Sequence, residues 1–571
     1  MKVGRNAPCP CGSGRKSKRC CANKADTSRE DSFIGDEADL WDEEKEPEIR
    51  DLGELAHMLA ILVASGGPEA LTPQMHEFLT QNFDFLIYLL DGFLAAATEP
   101  EDFGEDLADA YEYMLGVQLN GLGIGVGSNY EWAQEVFDDF QQRLVGAMRN
   151  GGVSSREMMA MSKAMFEAKL QPSRELVGAS EELLKRETAE LRAGLDPAAL
   201  GAEISRQCGG DPFMIHTSLF AASHLGSAEF RAQTTRALLE NPQAPMREAA
   251  ALAALDPDRD VRRETAAALL EHCHAITPAT VRRLITMRGW VAEPERGLID
   301  QAVKAARLAG IECTQWPRGA EIVEIRASAP DGAGAQTAIV VTRAGRGNQL
   351  SGLLFKHGKG IADAWTAQPQ SKREIRQILD ETSSKEVYLM PVSRAYLDRT
   401  MSYYLRVGLE QNAAPAVRLL EVAELLHAPQ WQPAQAGWRE VLEHLIGEVA
   451  DDLLAADSVR AIIASSAKWA MDRRWAASWA EQGEEVSDLL ETLDGRPMDK
   501  VRNAILDAII EKRRAIWAER FTLTAVWMKE AQSRARLPWR NFAIVAQKLI
   551  EEFPLREIGV MNEIAEATAF L

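Results

Sequence analysis

Four of the seven cysteines in this 571-residue chain, Cys9, Cys11, Cys20 and Cys21, fall within thirteen residues. Thiolates that close together can form two disulfides or converge on one metal ion. The chain begins with no apolar stretch and small-residue cleavage site of the kind that marks export, so a reducing, cytoplasmic setting is expected and metal is favoured. The neighbours agree, because Arg15, Lys16, Lys18 and Arg19 supply a positive field that lowers thiol pKa and offsets the charge of a four-thiolate zinc centre. Pro10 stiffens the first pair, and Gly12 and Gly14 permit the positive-φ turn that points backbone N–H groups at sulfur. The usual zinc spacing is C-x2–4-C, which neither C-x-C nor adjacent Cys-Cys satisfies, so spacing alone leaves the disulfide alternative open.

The run from Gly4 to Cys21 resembles the SEC-C motif, the metal-binding tail of the SecA translocation ATPase that also occurs on other bacterial proteins. Its pattern is C-x-C-x8-C followed directly by Cys or His. The resemblance implies that Cys9, Cys11, Cys20 and Cys21 are the ligands of one zinc, that Gly12-Ser13-Gly14 forms the turn, and that Arg15, Lys16, Lys18 and Arg19 contact a partner. It further implies a docking element for the ribosome or a chaperone and no catalytic centre. It covers about 20 residues, and no G-x-x-x-x-G-K-[ST] phosphate loop accompanies it, so the translocation motor is not implied.

A search for other chemistry yields little. There is no G-x-S-x-G elbow, and His76-Glu77 begins the helical zinc-protease pattern without a second histidine. His272-Cys273-His274 has no second ligand pair and reads as ordinary helix-end sequence. Gly121-Leu-Gly-Ile-Gly-Val-Gly127 precedes a helix, but it departs from G-x-G-x-x-G and lacks a following lysine, so it reads as a tight connection between helices and not as an anion site. The chain is more readily a binding protein than an enzyme. An enzyme or nucleic-acid factor with an unfamiliar site in residues 318–400 is the alternative.

The elements that must carry the knuckle are those of a large globular protein without a membrane span. Length predicts several domains, and 46% hydrophobic content suffices for large cores. The net charge of −21 disfavours a general nucleic-acid wrapper and leaves room for a local basic patch. Residues 1–24 hold seven Lys or Arg and no acid, whereas residues 25–54 hold thirteen acids against three bases. Residues 25–50 therefore read as an acidic, solvated linker. Leu40-Trp41 stands out within it, either packing on the body or acting as a short anchor.

Beyond residue 50 the period is helical. Leu52, Leu55, Leu59, Leu62 and Val63 share a face that Gly66-Gly67-Pro68 stops, and Thr72-Pro73 opens the next helix. Residues 245–310 resemble HEAT repeats, with Arg247 and Arg262 at equivalent helix starts fifteen residues apart, Thr277-Pro278 and Glu293-Pro294 opening further helices, and Gly310 ending the last. Between 318 and 400 the period changes. Runs at Glu321–Ala327, Gln336–Arg343 and Gln349–Lys356 predict an antiparallel meander, followed by a helix over 372–381 and a strand over 387–390. The turn Arg343–Asn348 has the residues for a phosphate site but reads more readily as a solvated hairpin loop, and Lys356, His357 and Lys359 farther along are read in the same way. Past 401 the chain is helical and tryptophan-rich, with Trp469, Trp475, Trp479, Trp517, Trp527 and Trp539 interleaved with arginines in a pattern that suits a core with snorkelling cations. The expected fold is mainly α: zinc knuckle 1–24, acidic linker 25–50, helical domain 51–200, HEAT-like repeats 201–317, small α+β domain 318–400 and helical C-terminal domain 401–571.

Overall fold

The computed structural model describes residues 52–96, 101–127, 130–191, 197–385, 387–472, 474–493, 495–531 and 537–570. The knuckle and linker, with Cys9, Cys11, Cys20, Cys21, Arg15, Lys16, Lys18 and Arg19, lie outside the described residues. The chain divides into two compact units, Met1–Met114 and Leu115–Leu571.

The described part of the first unit is a helical cluster in which Leu55, Leu59, Leu86, Leu89, Leu90 and Phe93 are buried. Its local signals act as the sequence predicts. The helix Leu52–Gly66 ends at Gly67, whose φ of 72° suits glycine alone. Thr72 then caps Pro73–Gln81, its hydroxyl accepting from Met75 N at 3.3 Å.

In the second unit, helices from Glu131–Arg149 to Glu295–Leu308 follow one another with short connections. Arg247 and Arg262 do the same work at the same place. Each guanidinium donates from Nη1 to the carbonyls five and six residues before it, Asn241 and Pro242 at 2.8 and 2.7 Å and Asp256 and Pro257 at 2.8 and 2.9 Å. Each thus satisfies carbonyls that the inter-helix turn would leave unpaired. Thr277 caps Pro278–Met287, and Gly310, with φ 83°, follows the helix Glu295–Leu308.

The glycine run at 121–127 corrects the expectation of a connection. It forms the last turns of one helix, Glu101–Gly127. Glycine's low helix propensity is overridden by packing. A Cβ on Gly123 would lie 2.1 Å from the Ala168 carbonyl oxygen, so only glycine lets the two segments approach.

The α+β insert is a five-stranded antiparallel sheet: β1 (Ile322–Ala327), β2 (Ala335–Ala344), β3 (Gly347–Lys356), β4 (Gly360–Thr366) and β5 (Met390–Pro391), in the order β4-β3-β2-β1-β5. Strand β4 has no counterpart in the expected meander, because Ala362, Asp363 and Ala364 are weak strand formers. It is held by pairing with β3 and by Trp365, which covers Gly352 so closely that a Cβ there would lie 2.2 Å from the indole. The helix expected over 372–381 runs on as Lys372–Lys385, and the strand expected over 387–390 shrinks to β5. On one face Ile339, Val341 and Leu350 pack with Ile375 and Leu379 in a small separate core. The main core runs unbroken from Phe213 through the sheet to Ala565. The tryptophans sit inside it: Trp469, Trp475, Trp479 and Trp517 surround Phe521 and Phe542, and Trp527 donates to the Ala327 carbonyl at 2.8 Å.

Candidate functional site

Two loops of the insert meet the helix Arg514–Glu530 in a buried polar region. The first is the turn between β1 and β2. Asp331 accepts from the amides of Ala333 and Ala335 at 2.9 and 2.7 Å, and Gly332 donates to Ser478 Oγ at 3.0 Å. A Cβ on Gly332 would lie 1.7 Å from the Ser478 carbonyl oxygen, so the turn fits only as glycine. The second is the turn between β3 and β4. It places His357 Nδ1 3.1 Å from Glu519 Oε1, and the same oxygen accepts from the Tyr403 hydroxyl at 2.6 Å. The His357 side chain remains one-third exposed.

Arg520 lies beside this pair, stacked on Trp517 at 4.6 Å and only 9% exposed. Burial lowers its pKa, and the nearby charges of Glu481, Asp331 and Glu519 oppose that fall. None of the three carboxylates bonds its Nε or Nη1, which find no acceptor among the described residues. Burial likewise raises the Asp331 carboxyl, and it drives the Tyr403 hydroxyl well above its ordinary range, with the Glu519 charge adding to the effect. Lys356 and Lys359 point elsewhere. Both donate to the Gly127 carbonyl, at 2.6 and 3.1 Å, and so close the C-terminal end of the helix Glu101–Gly127. Thus of Lys356, His357 and Lys359, only His357 joins the cluster. The Arg343–Asn348 turn is the hairpin loop expected of it, with Gly345 at φ 57°.

A second buried network crosses the helical stack. Glu424 accepts from Arg282 Nη2 at 2.6 Å and from Arg283 Nε and Nη2 at 2.8 and 3.1 Å, and Arg283 Nη1 reaches Glu248 at 2.9 Å. Burial pushes the Glu424 carboxyl up, but the bonds and charges of the two arginines outweigh it and hold the group below its ordinary value. Every partner is a fixed protein group, which marks a latch between Pro278–Met287 and Leu419–Leu425.

Among the described residues no group of three or more His, Cys, Asp or Glu is placed to hold a metal ion. His272 is the C-cap of Arg259–Glu271, and Cys273 and His274 form the short turn after it. The four N-terminal cysteines lie outside the described residues. Four thiolates form a complete donor set for one tetrahedral zinc, with cations nearby in sequence to offset its charge.

Comparison with known proteins separates the N-terminal stretch from the body. The SEC-C motif matches residues 5–23, a span that contains all four cysteines and all four central cations. Elsewhere the matches are of another kind: the Y4lR second domain over residues 227–310 and the Y4lR C-terminal helical domain over 439–570. The chain thus carries a SEC-C motif on a body with Y4lR-like domains, and it is not the SecA subunit itself. Among curated relatives, the uncharacterized protein y4lR of Sinorhizobium fredii is 28% identical over 297 residues, 51% of this chain and 56% of its own length. The protein translocase subunit SecA of Desulforudis audaxviator is 78% identical over 23 residues, 4% of this chain and 2% of its own. The chain therefore spans about half the length of the first relative and a small fraction of the second. No solved structure matches it.

The sequence alone misses Asp331, Tyr403, Glu519 and Arg520. They come from three separate stretches, around 331, 403 and 519–520, and no spacing connects these before the chain folds. The glycines at 332 and 334 were the one local signal of a constrained turn there.

Proposed function

We propose that this chain is a cytoplasmic adaptor that docks through an N-terminal zinc knuckle and presents its helical body to a second macromolecule. Cys9, Cys11, Cys20 and Cys21 hold the zinc, which supplies the tetrahedral cross-link that folds a stretch with almost no apolar core. Arg15, Lys16, Lys18 and Arg19 make the contact. An acidic surface suits them, such as ribosomal RNA or an acidic chaperone. The observation that carries this reading is the 78% identity to a translocase subunit over 23 residues, joined to a body whose matches lie with other domains. Whole-chain likeness would have suggested a shared activity; likeness confined to one module suggests a shared docking device.

Residues 25–50 set the reach. As a flexible coil they span roughly 25–30 Å r.m.s., and more where the acids repel, so the body can engage one partner while the knuckle holds another. The helices over 245–310, which we read as HEAT-like stacked pairs, would serve as an extended binding surface. The test is cosedimentation with purified ribosomes, and capture on a purified acidic chaperone, using the full chain and a chain lacking residues 1–24. Binding by the full chain that is lost in the truncation supports the adaptor; equal behaviour of the two leaves the knuckle as no more than a folded terminus.

A further inference from the structure

The helix Leu52–Gly66 buries Leu55, Ala56, Leu59, Ala60 and Val63 on its inner face. Its other face is not plainly polar. Glu54, His57, Met58, Ile61 and Leu62 line a shallow hollow of about 530 Å³, with Ile61 39% exposed and Met58 and Leu62 half-buried. A thioether, two aliphatic side chains and an imidazole at helical spacing make a surface suited to an aromatic ring.

We infer that Leu40-Trp41 docks in this hollow and pins the acidic linker to the helix that follows it. The length of chain decides the occupant. Trp41 precedes Leu52 by only ten intervening residues, which extended reach roughly 33–36 Å, while the hollow lies within the first three turns of the helix, about 16 Å. The anchor is therefore held near its site at an effective concentration of millimolar order, which a free partner would have to match. Phe33-Ile34, the other apolar pair of the linker, lies farther off and competes at lower effective concentration. Charge agrees with the return path. Residues 42–51 carry Asp42, Glu43, Glu44, Glu46, Glu48 and Asp51 back to the N-terminal end of a helix, where the backbone dipole favours negative charge.

The consequence, which rests on the docking role proposed for the knuckle, is a shorter leash. Only residues 25–39 then remain free, and the r.m.s. span falls to roughly 20–23 Å. The acids of residues 42–48 are also drawn away from the knuckle and toward the body. Release of Trp41 would lengthen the tether and return those acids to compete for Arg15, Lys16, Lys18 and Arg19.

The test is fluorine NMR on the full, zinc-loaded chain grown with 5-fluorotryptophan, in which the one signal of thirteen that disappears in Trp41→Phe reports the anchor. A soluble gadolinium chelate then measures its exposure. Wild type should show a Trp41 signal broadened several-fold less than in Ile61→Glu, a change at an exposed position whose effect on folding is checked by circular dichroism, and Met58→Asp should behave like Ile61→Glu. A signal equally exposed in wild type and both variants means the hollow is open or otherwise filled, and overturns the inference. So does a signal equally shielded in all three, which places the anchor elsewhere. Neither result depends on what the knuckle binds, so failure of ribosome or chaperone binding is read separately.

Discussion

Residues 1–24 carry seven lysines and arginines without one acid, whereas the buried arginines of the helical body mostly sit against partners of their own chain. Arg231 reaches Asp256 at 2.9 Å, Arg262 reaches two carbonyls, and Arg282 and Arg283 share Glu424. Cations satisfied inside a fold hold helices together and have little left to offer a visitor. On the proposed reading, the knuckle's cations, which have no acid among residues 1–24, are the ones a partner can use. On that reading structure falls to the body's arginines and recognition to the knuckle's, although the body is far larger and holds many more of them.

The sharpest way to break that contrast is to remove the metal. Cys20→Ser with Cys21→Ser should reduce zinc from about one per chain to none by elemental analysis, while the melting of the body stays where it was, because no described metal cluster supports it. Undiminished zinc would refute the ligand set. Within the body, the arginine latch should respond strongly. Glu424→Ala leaves Arg282 and Arg283 buried without their shared carboxylate, which should cost about 3–5 kcal/mol in urea unfolding. A cost under about 1 kcal/mol would mean the network is not structural.

Acid probes the same body through its histidines. Burial lowers His216 and His224 to about 4, where each bonds a backbone carbonyl, of Ala249 and of Leu170. Their folded pKa values lie below the unfolded value of about 6.5, so the unfolded chain takes up the protons. The stabilisation is complete above pH 6.5 and is lost as pH falls from about 6.5 toward 4, on the order of 3 kcal/mol for each histidine. A flat stability curve over that window would contradict the burial of both rings. The smallest effect is expected at Arg520, whose Nε and Nη1 lack acceptors among the described residues. Arg520→Met removes a poorly satisfied buried charge and should change stability by no more than about 1 kcal/mol, in contrast to Glu424→Ala.

What the sequence reveals follows from how local each signal is. The cysteine cluster, the caps at Thr72 and Thr277 and the stop at Gly310 are carried by neighbouring residues, and they can be read before any fold is known. The equivalence of Arg247 and Arg262 is also legible, because both serve turns within six residues. The glycine run is misleading for the opposite reason: its helical state is imposed by Ala168, forty-five residues downstream of Gly123. Strand β4 depends in the same way on β3, and the cluster around Glu519 on residues as distant as His357. Most of the candidate docking site is thus written in one short stretch, while the body's polar centre exists only once the chain has folded.

Charge reversal of the knuckle with its metal kept in place tests the central claim most directly. Arg15, Lys16, Lys18 and Arg19 are changed together to Glu, zinc content is confirmed at about one per chain, and binding to purified ribosomes and to an acidic chaperone is measured across a salt series. The account predicts that wild-type binding falls steeply as salt rises and that the reversed, zinc-loaded chain does not bind at any salt concentration. Binding of wild type and reversed chain with the same affinity and the same salt dependence would contradict it.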